Sequence, residues 1–267
     1  MIEPTQFLPL AADARSGFPA RRLAYQKRAG KPPTIVWLGG FRSDMTSTKA
    51  EKLFEAAAAE GRAALRFDYS AHGASSGDFA DATLSQWLDD ALEMIRAEAG
   101  TKPVLVGSSM GGWLALRATQ ILSAEGNPPG GLMLIAPAVD FTQALMWAQF
   151  PEAIKKQIMD EGVWHRPSEY SPEPYPITRQ LIEDGRKHLL MGEKLKFGVP
   201  IHILQGAEDP DVPLAHVEKF VAGLPQDDVR MTVIPDGNHR LSRDKDIAAL
   251  QRITMDLARE VEADQAG

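Results

Sequence analysis

The sequence predicts an α/β fold, with a mostly parallel central sheet and helices on both faces. Short apolar, β-branched runs alternate with longer stretches of helical period along the 267 residues. That alternation marks parallel strands joined by crossover helices. The strand-like runs are almost continuously apolar, as expected where both faces of a sheet are covered. Several of them end in glycine-rich or polar loops, and open α/β sheets place their sites at such carboxyl ends.

"TIVWLGG" (34–40) is the first clear strand, and its polar loop leads to "STKAEKLFEAAAAEG". That helix has Ser47 or Thr48 as N-cap and Gly61 just past its end. "AALRFDY" (63–69) is the next strand, followed by the loop "SAHGASSG". "TLSQWLDDALEMIRAEAG" (83–100) is amphipathic, with Thr83 and Gln86 spaced as a capping box and Gly100 as a stop. "KPVLVGSS" and "GGWLALRATQILSAEG" read as strand then helix. "GLMLIAPAV" (131–139), "VPIHILQG" (199–206) and "VRMTVIP" (229–235) are three further strands. "LAHVEKFVAGL" lies between the last two, and "DIAALQRITMDLAREVEA" closes the pattern as a helix.

A single domain over 1–267 is expected, interrupted only at about 140–197. That stretch is too long for an ordinary connection between two strands. It holds Met146, Trp147, Met159, Trp164, Tyr170, Tyr175 and a proline cluster at 167–176, and reads as a small helical cap over one end of the sheet.

Composition narrows the partners. With 29 basic against 36 acidic residues the formal charge is −7, which argues against nucleic acid or an anionic membrane as the main partner. The chain has no cysteine, so disulfides and thiolate chemistry are excluded. "MIEPTQFLPLAADARSG" lacks a cationic region followed by an apolar stretch, and no run is long enough to span a bilayer. A cytoplasmic location is the expectation. No metal or other cofactor is implied; the acidic pairs Asp89–Asp90 and Asp227–Asp228 read as solvated positions.

Chemistry concentrates at "PVLVGSSMGGW". Gly107 and Gly111 flank Ser109 in a G-x-S-x-G pattern set between a strand and a helix. A sharp strand-to-helix turn of this kind exposes one side chain, and the glycines permit the close backbone approaches. Ser109 is therefore the candidate nucleophile, and Ser108 occupies the variable position. A serine hydroxyl needs a base, and the base an orienting acid, in the chain order serine, acid, histidine. "ILQGAEDPDVP" offers Glu208, Asp209 and Asp211, of which Asp209 best fits the spacing and Asp211 is the fallback. "VIPDGNHRLS" offers His239. Of the other histidines, His202 falls in a strand, His216 in a helix, and His165 and His188 in the insertion, while His72 lies in a loop that could border the site. The developing oxyanion would be held by the backbone N–H of Met110, after the serine, and of Phe41, after "TIVWLGG".

These motifs resemble the α/β-hydrolase superfamily. "GGFRSDMTSTKA", "LRFDYSAHGASSG", "VGSSMGGWLALRA", "EGVWHRPSEYS", "GAEDPDVPLAH" and "GNHRLSRDKDI" are similar, more closely, to the branch of the mitochondrial palmitoyl-protein thioesterase and acyl-glucuronide esterase. The resemblance runs from about residue 23 to 250. It implies Ser109, Asp209 and His239 as a catalytic triad, with Phe41 and Met110 as oxyanion donors. Two departures are Gly39, where many relatives carry histidine, and Gln205, in place of a frequent histidine before Gly206.

The expected function is a serine hydrolase of carboxylic esters or acyl thioesters working through an acyl-serine. Its partners would be a small-molecule ester or thioester, with an acylated protein as a further substrate class. Trp147 and Trp164 are candidate substrate contacts, or else ordinary packing of the cap. Rival expectations are a carbon–carbon bond hydrolase or amidase on the same scaffold, and a ligand receptor that keeps the hydrolase fold without catalysis.

Overall fold

The computed structural model describes residues 3–14, 16–167, 173–192 and 194–266. Two N-terminal strands come first, β1 (Gln6–Leu10) and β2 (Arg21–Arg28). The alternating pattern then begins with β3 (Lys31–Leu38), α1 (Thr48–Ala59), β4 (Arg62–Phe67), α2 (Leu84–Glu98) and β5 (Val104–Ser108). It continues with α3 (Met110–Ala124) and β6 (Gly131–Ile135). Thr83 caps α2 as its residue type predicts, accepting the Gln86 N–H.

After β6 the chain leaves the sheet and forms α4 (Glu152–Glu161), β7 (Val163–Arg166), β8 (Tyr175–Thr178) and α5 (Arg179–Gly185). It returns through β9 (Ile201–Gly206), α6 (Leu214–Val221), β10 (Val229–Ile234) and α7 (Asp244–Ala266). Among the described residues the sheet has eight strands in the order β1-β2-β4-β3-β5-β6-β9-β10. β1 and β2 run antiparallel, and every pairing from β4 to β10 is parallel.

Side chains alternate across a strand, so neighbouring residues enter different layers. Val36, Leu38, Leu105, Leu132 and Leu134 pack with α2 and α3. Ile35, Trp37, Val104, Val106, Met133 and Ile135 face the opposite way, onto α1 and α7. Both layers are dry, which is why these strands are apolar throughout.

The insertion differs from the all-helical expectation. α4 stops at Gly162, whose φ of 86° lies in the left-handed region. The β-prone Val163–Arg166 then pairs antiparallel with Tyr175–Thr178. Ser168, Tyr170 and Ser171, part of the motif quoted above, lie outside the described residues. Hydrogen bonds tie the two ends of the insertion together and fasten it to the body. Asp140 accepts the N–H groups of Leu190 and Met191 at 2.8–3.1 Å. Asp184 accepts from the Ser85 N–H and hydroxyl at the start of α2. The Trp113 indole on α3 donates to the His188 carbonyl at 3.1 Å.

One expectation about charge is corrected. Asp90 is fully buried, not solvated: its Oδ1 lies 2.5 Å from Arg21 Nε, and Arg21 also pairs with Asp89. The partner sits on β2, so only the docking of the N-terminal strands buries the pair. No helix among the described residues is long and apolar enough to cross a membrane.

Candidate active site

Ser109 occupies the single residue between β5 and α3, with φ 55° and ψ −118°. A non-glycine residue in that region is strained by about 1–3 kcal/mol and persists only where its surroundings over-determine it. Here the Ser109 N–H donates to the Ile135 carbonyl at 2.9 Å, and its carbonyl accepts from Gly112 and Ala138. The flanking glycines are sterically required. A Cβ on Gly111 would stand 2.5 Å from the Gly39 carbonyl oxygen, and one on Gly107 would stand 2.6 Å from the Gly111 carbonyl carbon.

Three residues far apart in sequence converge on this turn. Ser109 Oγ lies 3.0 Å from His239 Nε2, and His239 Nδ1 lies 2.8 Å from Asp209 Oδ2. Both partners sit in loops at the carboxyl ends of β9 and β10. The two loops are locked together, since the Glu208 N–H donates to the Gly237 carbonyl at 2.9 Å. The Asp209 side chain is fully buried, while His239 is about one-quarter exposed at the mouth.

The choice between the two aspartates is geometric. Asp209 Oδ1 accepts the N–H groups of Asp211 and Val212 at 2.9 and 2.8 Å, which leaves Oδ2 for the imidazole. Asp211 is exposed and enters this network through its backbone N–H. Gln205 lies beneath, donating to the Val212 carbonyl at 2.9 Å and approaching Asp209 Oδ2 at 3.4 Å.

Met110 follows the serine directly, and Phe41 follows Gly40, which lies against it. Met110 opens α3, and Gly40 is so close that a Cβ built on it would stand 3.4 Å from Ser109 Cβ. The Phe41 ring fills an aromatic box formed by Phe79, Trp87, Phe141 and, from the insertion, Tyr175, at centroid distances of 5.2–6.0 Å. Trp147 is half-buried between the cations of Lys155 and Arg186, and Trp164 meets Phe150 edge-on at 5.2 Å. The ring contacts of both tryptophans are thus with neighbours inside the insertion.

Asp209, Asp211 and His239 are the described residues whose potential ligand atoms lie within 4.8 Å of one another. A cation there would have to displace the N–H donors already on Asp209.

A family model described as "Alpha/beta hydrolase family" matches residues 35–250. The chain belongs to the alpha/beta hydrolase family. It is thus a hydrolase-family protein related to a thioesterase: "Palmitoyl-protein thioesterase ABHD10, mitochondrial" from Homo sapiens is 34% identical over 229 residues, covering 85% of this chain and 74% of that one. The structure of "Alpha/beta hydrolase domain-containing protein 10 from mouse" superposes with a TM-score of 0.83 at 29% identity, covering 96% of this chain and 99% of the other. A crystal structure from Agrobacterium vitis S4 agrees more closely, with a TM-score of 0.90 at 43% identity over 97% of this chain and all of that one.

Around this alpha/beta hydrolase site Asp68 and Lys49 were not legible as site residues, and His72 was expected in a loop that could border the site. His72 is buried, and burial lowers its pKa to about 4 despite its bond to the Ser70 carbonyl. Asp68 is buried too, and desolvation raises its pKa although Ala74 and Met45 N–H groups donate to it. Lys49, on α1, donates to the Arg240 carbonyl beside His239, and burial lowers its pKa to about 8. His72 and Asp68 also bond the loop after β3, at Arg42 and Met45, and Lys49 bonds the loop after β10, so spacing along the chain carried no signal for these contacts.

Proposed function

We propose that this protein is a serine hydrolase that cleaves carboxylic esters or acyl thioesters through an acyl-serine intermediate. What supports this most is the continuous hydrogen-bond chain Ser109–His239–Asp209, anchored on a strained turn. In this mechanism Ser109 Oγ attacks the substrate carbonyl carbon while His239 Nε2 takes the hydroxyl proton. Asp209 holds the Nδ1–H tautomer and stabilises the imidazolium. The tetrahedral oxyanion forms between the N–H groups of Phe41 and Met110, where a preorganised donor is typically worth ~10²–10³ in rate. Collapse expels the alcohol or thiol with the proton from His239, and a water activated by the same imidazole releases the acid.

The 140–197 insertion acts as a cap over this site, within which Trp147 and Trp164 pack against its own residues. A small-molecule ester or acyl thioester is the primary substrate class, with acylated protein as its extension given the thioesterase-named relatives.

The test is kcat/KM for matched oxygen esters and thioesters of increasing chain length, with Ser109→Ala as control and a fluorophosphonate probe in parallel. Labelling and turnover should both vanish in Ser109→Ala. Activity that survives the substitution would overturn the assignment of the nucleophile. Labelling without turnover of any ester or thioester would redirect the site to amide or carbon–carbon cleavage.

A further inference from the structure

The loop that carries Phe41 makes a tight turn. Gly40 accepts the Ser43 N–H at 3.1 Å, so Phe41 and Arg42 are its central residues. Arg42 has φ 59°. A positive φ at the third position of a turn belongs to the type II geometry, which glycine or asparagine normally supplies. An arginine would favour type I, and the two types differ by a flip of the peptide between the central residues. That peptide joins Phe41 to Arg42. Something outside the turn must therefore hold it against its residue preference.

His72 is placed to do so. Its Nε2 lies 3.1 Å from the Arg42 N–H. The other ring nitrogen, Nδ1, lies 3.1 Å from the Ser70 carbonyl, which makes Nδ1 the protonated one and leaves Nε2 as an acceptor. Ser70 is itself fixed, because its N–H donates to Asp90 Oδ2 at 2.7 Å and its carbonyl also accepts from the Trp87 indole. The imidazole is 4% exposed and meets the rings of Tyr69, Phe79 and Trp87 edge-on at 5.2–5.7 Å. Its acceptor lone pair is thus aimed at one backbone N–H, and that N–H is on the peptide the turn would otherwise flip. Asp68 grips the same loop farther on, accepting the Met45 N–H at 2.7 Å.

We propose that His72 is a positioning residue: by accepting the Arg42 N–H it anchors the turn at Phe41–Arg42, and so holds in place the preceding peptide, whose Phe41 N–H is offered to the oxyanion. The inference rests on the serine-hydrolase function proposed above. His72 touches no substrate and transfers no proton. Its contribution is made in the transition state, where the oxyanion needs its donor, and hardly at all in substrate binding.

The experiment compares wild type, His72→Gln, His72→Asn and His72→Phe, with kcat normalised to active sites titrated by a fluorophosphonate. Each variant is also assayed for affinity to an alkyl boronic acid, which forms a tetrahedral adduct on the serine, and to the carboxylic acid product. Glutamine places its amide oxygen near the position of Nε2, whereas asparagine falls short of Arg42 and phenylalanine offers no acceptor. His72→Phe and His72→Asn should lose ~10–100-fold in kcat, a fraction of the loss typical of an absent oxyanion donor. Boronate affinity should fall by a similar factor, KM and product affinity should stay within about threefold, and His72→Gln should recover most of the loss. Should the phenylalanine variant fail to fold, the asparagine variant decides.

Titrated sites that turn over at the wild-type rate in both His72→Asn and His72→Phe would overturn the proposal. So would a loss confined to KM, or one that glutamine does not repair. Failure of the underlying function looks different, because wild type itself would then keep its activity in Ser109→Ala.

Discussion

Replacing Asp209 by asparagine alters a single functional group, and the surrounding hydrogen bonds dictate how the new amide turns. Oδ1 faces two backbone donors, the N–H groups of Asp211 and Val212. An amide NH₂ placed there would confront both donors, so the carbonyl oxygen takes that side. The NH₂ then occupies the place of Oδ2, 2.8 Å from His239 Nδ1. Nδ1 must become an acceptor, which moves the imidazole proton to Nε2. That nitrogen lies 3.0 Å from Ser109 Oγ and can no longer take the hydroxyl proton. A wrong tautomer of this kind in a serine–histidine–aspartate site costs ~10⁴ in kcat, or about 5.5 kcal/mol of barrier. Shape and packing are unchanged, so the melting temperature should move by no more than a few degrees.

The assay is steady-state hydrolysis of a chromogenic ester by wild type, Asp209→Asn and Asp211→Asn. Asp211 reaches the network through its backbone, which the substitution leaves in place, so Asp211→Asn should remain within about tenfold of wild type. Near-normal turnover in Asp209→Asn would refute the tautomer argument. A larger loss in Asp211→Asn than in Asp209→Asn would show that the wrong acid had been chosen.

Two further outcomes follow from buried polar groups. Asp140→Ala removes the acceptor for the Leu190 and Met191 N–H groups; at about 1–3 kcal/mol for each orphaned donor, it should destabilise by about 2–6 kcal/mol. Melting should fall by roughly 5–15 °C, and faster hydrogen exchange at 189–192 should accompany it; unchanged exchange there would mean that Asp140 does not hold the insertion. For His72, the folded-state pKa of about 4 lies below the unfolded value of 6.5. The unfolded chain therefore binds the proton first as pH falls, and stability declines from pH 6.5 down to about 4, by about 3 kcal/mol in all. Urea titrations at pH 7.5 and 4.5 should show wild type losing about 2–3 kcal/mol more than His72→Phe over that range, and equal losses would contradict the assignment.

Much of the frame is local and was therefore readable along the chain. The parallel strands announce themselves because both faces of each must be apolar. The turn at Ser109 is marked by Gly107 and Gly111, which leave no room for a Cβ. Even the order of serine, acid and histidine follows from loops at successive strand ends. β1 and β2 escaped notice because "RRLAYQKR" carries the charge of an edge region, and its Arg21 is apolar-compatible only once Asp90 meets it. The hairpin of β7 and β8 escaped for a related reason, since strand pairing within an insertion depends on a partner about ten residues away.

What the amino-acid sequence by itself determined is the layered α/β architecture and the residue types of the site, because periodicity and turn chemistry act over a few residues. Tertiary structure alone decided which aspartate meets His239, that Asp90 is buried with Arg21, and that His72 holds the peptide after Phe41. Each of these depends on the direction of a hydrogen bond between segments 30 to 69 residues apart. Such directions exist only once the sheet has brought the loops together.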